Sequence, residues 1–216
     1  MSSTVALVVV GIVFAVLLGA LGVETAHDNP VGWIVLLIGV GYCMGGSLYL
    51  AAEKNRVALR EETGGRSLWA VAPGFAVVFL APPLEYLYLP ALLPRSTAMQ
   101  VAGLALIAAA LGLRVWSRLS LREQYSGRLR IQAGHRLVTT GPHRFMRHPG
   151  YAGFLLLGLG LAIGYSSTIG LVAVPVLLLP GLVYRIHAEE ALLTTQFGEA
   201  YLEYARRTRR LLPGIW

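Results

Sequence analysis

Residues 135–165 read HRLVTTGPHRFMRHPGYAGFLLLGLGLAIGY, and the way this stretch changes character decides the fold. A polar run carrying paired His and Arg residues passes without a linker into a continuous hydrophobic helix, which sets a chemical site at a membrane surface. The apolar residues from Leu155 onward cannot recognise a charged ligand. Arg144, Arg147, His143 and His148 can bind a carboxylate or phosphate and hydrogen-bond a heterocycle.

The rest of the chain has the composition that such a helix needs. Of its 216 residues 56% are hydrophobic and only 13% charged, which is outside the range of ordinary soluble domains. A helix crosses the hydrocarbon core with about 20 apolar residues, and such runs lie at roughly 4–23, 31–52, 67–88, 97–117, 151–165 and 167–184, the fifth being short. The last two should form a hairpin turning near Ser166 and Ser167. The runs are continuously apolar and lack the alternation of a membrane β-barrel. Met1 to Thr4 carry no basic residue and no convincing cleavage site precedes Glu24, so the first run reads as a span rather than a secretory signal. The expected fold is therefore all-α: a polytopic transmembrane bundle of five to six spans ending in a helical hairpin, with a cytoplasmic pocket built by the C-terminal half. Residues 1–216 read as one domain, 1–113 as scaffold and 114–216 as the half carrying the chemistry.

Charge sets the expected orientation. If six segments alternate, 17 of the 18 basic residues fall on one side, and only Arg95 falls on the other, beside Glu24 and Asp28. The positive-inside rule then puts both termini, segment 114–150 and the tail in the cytoplasm. The net charge of +7 accordingly reads as topology and attraction to anionic lipid, with no nucleic-acid partner, because the arginines are split among short loops and no nucleic-acid module is visible. Lys54 is the sole lysine, a bias that fits a GC-rich genome and a bacterial plasma membrane. Cys43 stands alone inside an apolar run and reads as a small packing residue.

Gly39, Gly41, Gly45 and Gly46, and again Gly158, Gly160 and Gly164, contain the G-x-G element of dinucleotide loops. They lie inside apolar helices with no preceding strand, so close helix packing is the better reading. Pro82, Pro83, Pro90 and Pro94 mark an irregular end to the third span, while Pro175 and Pro180 should bend the sixth.

At the end of the sixth run Arg185 and Glu189 are four apart and share a helical face, with Glu190 turned by about 100°. An exposed ion pair is the bland reading. An adjacent acid pair beside the bilayer is costlier than surface acids and suits a ribose diol or a cationic centre. Phe197, Tyr201 and Tyr204 recur at helical spacing, as core packing or as a tail helix that folds back over residues 135–153 and closes a site. The arginines 206, 207, 209 and 210 read as a lipid-headgroup contact. His143 and His148 are five apart with Pro149 interrupting any shared helix, so no metal is expected.

These residues together resemble a known family. The run HRLVTTGPHRFMRHPGYAG, an Arg-x-x-x-Glu-Glu on the last span, FGEAYLEYARR and a closing LLP are similar, over about residues 120–213, to the isoprenylcysteine carboxyl methyltransferase family, with relatives among membrane phospholipid and thiol methyltransferases. The resemblance implies methyl transfer from S-adenosyl-L-methionine at the cytoplasmic membrane face, without a Rossmann domain, to a carboxylate or other lipophilic acceptor, S- or N-methyl transfer being open. By the same resemblance His135, Arg136, Leu137 and Val138 form the adenosine-side strip. His148, Pro149, Gly150 and Tyr151 hold the amino-acid end, Glu189 is the cofactor-binding acid, and Arg185 lies beside the acceptor. His143 stands where the family usually has tyrosine. Partners would be a lipid or lipophilic small-molecule acceptor and the membrane lipids themselves. A nicotinamide-dependent membrane reductase of the sterol type and a non-catalytic lipid-binding scaffold are the alternatives.

Overall fold

The computed structural model describes residues 3–38, 41, 58–61, 64–122, 130–132, 136–211 and 216. Among them the chain is nearly all helical, as the continuous apolar runs require. Helix α1 spans Ser3–Thr25, α2 residues 31–38, α3 Gly64–Tyr88, α4 Thr97–Leu121, α5 Pro149–Gly164, α6 Thr168–Phe197 and α7 Glu199–Arg207. By length and composition Ala70–Tyr88, Thr97–Leu121 and Thr168–Phe197 can cross a membrane, and Ile12–Thr25 and Pro149–Gly164 are shorter apolar helices. Ala58–Glu61 (β1) pairs antiparallel with Arg130–Gln132 (β2), which brings the loop before α3 and the loop after α4 to the same end of the bundle.

The glycines of the hairpin are used for close approach. A Cβ added at Gly103 of α4 would come within 2.6 Å of the Gly164 nitrogen and 2.7 Å of the Gly160 carbonyl of α5. Backbones in direct contact supply van der Waals packing that larger residues would abolish, which matters where lipid removes any hydrophobic drive between helices. On the other side Gly74 meets the Leu177 carbonyl and Gly181 the Ala70 carbonyl, so α3 and α6 are just as close. Val78, Ile107, Leu161, Tyr165, Leu178 and Leu182 fill the space between.

The turn between α5 and α6 falls at Ser166, which takes a positive φ of 53°, and Ser167. Ser167 caps α6 by accepting from the Gly170 N–H at 2.8 Å, and Glu85 of α3 accepts from the Thr168 and Ile169 N–H groups at 3.0 Å each. The Asn29 amide donates to the Gly164 carbonyl, and Thr25 shares a hydrogen bond with the Tyr165 hydroxyl. The buried helix ends at this pole thus find side-chain partners.

One expectation needs correction. Pro82 and Pro83 do not end α3: with Pro73 they lie inside it, and the helix continues to Tyr88 before the irregular stretch around Pro90 and Pro94. Their missing donors fall in one turn, and the Pro82 ring packs in the space left by Gly170, so neighbouring helices hold the turn in place. At Pro175, one of the two prolines expected to bend the sixth span, α6 takes a π-helical turn over Val174–Leu178 and continues as one helix. Cys43, Gly39, Gly45 and Gly46 lie outside the described residues.

Gly103→Leu should therefore cost about 1–3 kcal/mol by overpacking, read as a lower thermal midpoint in detergent. Gly112→Ala on the same helix, where a Cβ meets nothing within 4 Å, should leave the midpoint unchanged or raised.

Candidate active site

Residues 136–139 approach the site without regular structure, and the chain then tightens into a 3-10 turn over Gly141–Arg144. Gly141 holds a φ of 62°, and a side chain there would run into Ser120 and the Trp116 indole of α4. His143 is buried at the end of this turn. Its Nε2 lies 3.3 Å from Ser117 Oγ and its Nδ1 3.3 Å from the Arg147 carbonyl. Both ring nitrogens are thereby engaged within the protein, and burial holds the imidazole below its ordinary pKa, hence neutral. Of the residues that the resemblance assigns to an adenosine-side strip, Arg136 is exposed, Leu137 and Val138 are half-buried, and His135 lies outside the described residues.

His148 occupies the N-cap of α5 with Pro149 at the first helical position, where a fixed φ and a missing N–H cost nothing. One turn on, Tyr151 reaches α6. Its hydroxyl donates to Glu189 Oε2 at 2.6 Å and accepts from Arg185 Nε at 2.9 Å. The shared face of Arg185 and Glu189 read from their spacing is thus real, but the two are joined through a tyrosine of the neighbouring helix. Arg185 is buried, whereas the Glu189 side chain keeps 30% of its surface exposed, with Oε1 3.9 Å from His148 Nδ1. The His148 ring also stacks on Tyr151 at 5.6 Å. Beside them a Cβ at Gly150 would meet nothing within 4 Å, so open space adjoins this corner. His148, Pro149, Gly150, Tyr151, Arg185 and Glu189 are brought together.

The tail closes over the loop. Met146 and Arg209 form a parallel bridge, with the Arg147 N–H donating to the Arg209 carbonyl at 2.7 Å and the His148 N–H to the Arg210 carbonyl at 2.9 Å. The Tyr204 hydroxyl, held by burial at a pKa of about 12, donates to the His143 carbonyl at 2.7 Å.

Glu190, read from the sequence only as the second member of the acid pair, has partners that the sequence reading did not find. It accepts from Arg147 Nε at 2.7 Å and Arg210 Nε at 2.9 Å, and lies 3.3 Å from His148 Nε2. Its partners are 20 to 43 residues away, so helical spacing gives no sign of them. The tail arginines also have acidic partners within the chain, and the pairs of Arg206 and Arg207 lie at the surface. Arg210 binds Glu190, Arg206 pairs with Glu199 at 3.0 Å and Arg207 with Glu203, because α7 supplies its own acids one turn or two from each base.

A cavity of about 290 Å³ lined by Leu17, Leu21, Glu24, Leu84 and Tyr88 opens between α1 and α3. Those α3 residues lie near the α5–α6 turn, at the opposite pole from Glu189.

Comparison with known proteins agrees with the resemblance drawn from the motifs. Residues 101–195 match the model of the isoprenylcysteine carboxyl methyltransferase (ICMT) family. A probable protein-S-isoprenylcysteine O-methyltransferase of Oryza sativa is 38% identical over 88 residues, which is 41% of this chain and 46% of that protein. Protein-S-isoprenylcysteine O-methyltransferase B of Arabidopsis thaliana is 35% identical over 41% of this chain and 45% of its own length, and the Homo sapiens enzyme 35% identical over 38% and 28%. The match thus spans about half the length of the plant relatives. The solved structure of the eukaryotic intramembrane Ras methyltransferase ICMT superposes with a TM-score of 0.59 at 18% identity, covering 93% of this chain and 73% of that one, which shows a shared membrane fold.

The buried neutral His143 makes stability depend on pH. The unfolded chain takes up a proton near the ordinary value of 6.5, while the folded ring resists until lower pH. Its contribution is complete above about 6.5 and is lost as pH falls below that. Thermal midpoints of His143→Phe should fall less steeply on acidification than those of the native chain. Tyr204→Phe, which strands the His143 carbonyl, should cost about 1 kcal/mol.

Proposed function

We propose that this integral membrane protein transfers a methyl group from S-adenosyl-L-methionine to the carboxylate of a lipophilic, isoprenylcysteine-like acceptor. The observation that carries the reading is the chain Arg185–Tyr151–Glu189, which joins a buried cation to a half-open carboxylate beside His148.

The donor set fits the cofactor. A carboxylate flanked by a histidine and a tyrosine can hold a ribose diol or a cationic centre, and open space adjoins it at Gly150. In this reading Glu189, His148, Pro149, Gly150 and Tyr151 bind the cofactor, and His135, Arg136, Leu137, Val138 and the face of His143 line its adenosine side. Bound S-adenosylmethionine supplies a methyl already activated on sulfonium. The protein's task is then to hold the nucleophile in line, and positioning can contribute ~7 kcal/mol or more. Arg185 orients the acceptor carboxylate, and Tyr151 keeps the guanidinium turned toward it. A carboxylate is ionised at neutral pH, so no general base is required. Burial of Arg185 restricts access to a lipid-borne acid, since desolvation strengthens the pairing.

The same reading places both termini and the 114–150 segment in the cytoplasm, where the cofactor is. Pairing of β1 with β2 supports putting the basic loops on one face. Residues 114–216 supply the chemistry and 1–113 the scaffold, with no metal and no nucleic acid involved.

The test is a split between cofactor binding and turnover. Glu189→Ala and His148→Ala should each weaken S-adenosylhomocysteine binding at least ~10-fold, about 1.4 kcal/mol. Arg185→Ala should bind it as the native chain does but lose formation of a base-labile methyl ester on a prenylated cysteine with a free carboxylate. Equal losses of cofactor affinity in all three would contradict the roles.

A further inference from the structure

We propose that Glu190 is a positioning residue: its carboxylate clamps the chain's final segment against the loop before α5 and thereby sets the orientation of His148 toward Glu189. This rests on the cofactor reading above and extends it to residues that neither the motif nor the adjacent acid pair distinguishes.

The two neighbouring acids have opposite surroundings. Glu189 has one oxygen bonded to Tyr151 and keeps 30% of its side chain exposed. Glu190 is only 13% exposed and has both oxygens engaged, Oε1 by Arg147 and His148 and Oε2 by Arg210. A carboxylate so occupied is no ligand for a small molecule. What it holds is a junction of three segments. The Arg147 guanidinium on Glu190 also donates to the Ala205 carbonyl at 2.7 Å and to the Thr208 carbonyl, acceptors at the C-terminal end of α7. The main-chain N–H groups of Arg147 and His148 donate to the Arg209 and Arg210 carbonyls. Beyond them Leu211 donates to the Trp216 carbonyl, and Arg210 lies over the Trp216 ring at 5.1 Å.

His148 is therefore fixed twice, through its main chain by the tail and through Nε2 by Glu190. Orientation of one ring nitrogen by such a partner determines where the other points, here toward Glu189. Without the carboxylate, Arg147 and Arg210 would face each other with no anion between them, and the tail would keep only its apolar contacts with α6, Leu211 on Ile186 and Trp216 on His187.

The experiment titrates S-adenosylhomocysteine by calorimetry into the full chain in detergent, with thermal midpoints in parallel, for the native protein, Glu190→Gln, Arg210→Met and the double variant. Each single change should weaken binding by about 10-fold, and the double should be no weaker than the poorer single, because both break one junction. Affinities equal to native, whatever the midpoints do, would reduce Glu190 to a stabilising residue and overturn the proposal, as would fully additive losses. The half-open Arg210 gives a milder variant that keeps the test decisive if Glu190→Gln does not fold. Native protein that fails to bind would overturn the cofactor reading itself, whereas native binding with unchanged variants would overturn this inference alone.

Discussion

Hydrocarbon offers no partner to a polar group, and that constraint organises this chain. Apolar helices fill the middle, and every buried polar group the structure describes in detail gathers at one of two poles. At one, Glu85, Ser167 and Asn29 satisfy the helix ends around the α5–α6 turn. At the other, Arg185, Tyr151, Glu189 and His148 meet. Arg185 is only 6% exposed, a placement that costs several kcal/mol unless the guanidinium is hydrogen-bonded, and the Tyr151 hydroxyl meets one of its donors.

The fold contributes to this second pole by fixing where α5 begins and α6 ends. Glycine contacts lock α5 to α4 at Gly103–Gly164 and α6 to α3 at Gly74–Leu177 and Gly181–Ala70. With both helices held by backbone contact, Tyr151 on one is level with Arg185 and Glu189 on the other. The tail then seals the corner through main-chain bonds to Arg147 and His148, so the site has contributions from residues spread over the last 70 or so positions of the chain.

The helices and the Ser166–Ser167 turn were legible because apolar length and small polar punctuation are local properties. The shared face of Arg185 and Glu189 was legible from their four-residue spacing, whereas the tail's return over the loop was one of two readings that the Phe197–Tyr204 stripe allowed. Glu190 was not legible, because its role depends on Arg147 and Arg210, which helical periodicity cannot connect to it. Pro82 and Pro83 misled for a related reason: proline breaks an isolated helix, but tertiary neighbours such as Gly170 hold this one together. The β1–β2 pairing escaped notice since strands of three and four residues are too short for a period of two to stand out. The match to the methyltransferase family covers residues 101–195, so the tail that completes the pole lies beyond the part of the chain that comparison accounts for.

The most direct test of the account is calorimetric titration of the native, detergent-purified chain with S-adenosylhomocysteine beside NADPH. The account predicts saturable one-site binding of S-adenosylhomocysteine and none of NADPH. Binding of NADPH alone would point to reductase chemistry, and binding of neither would leave a membrane scaffold without cofactor; either result would contradict it.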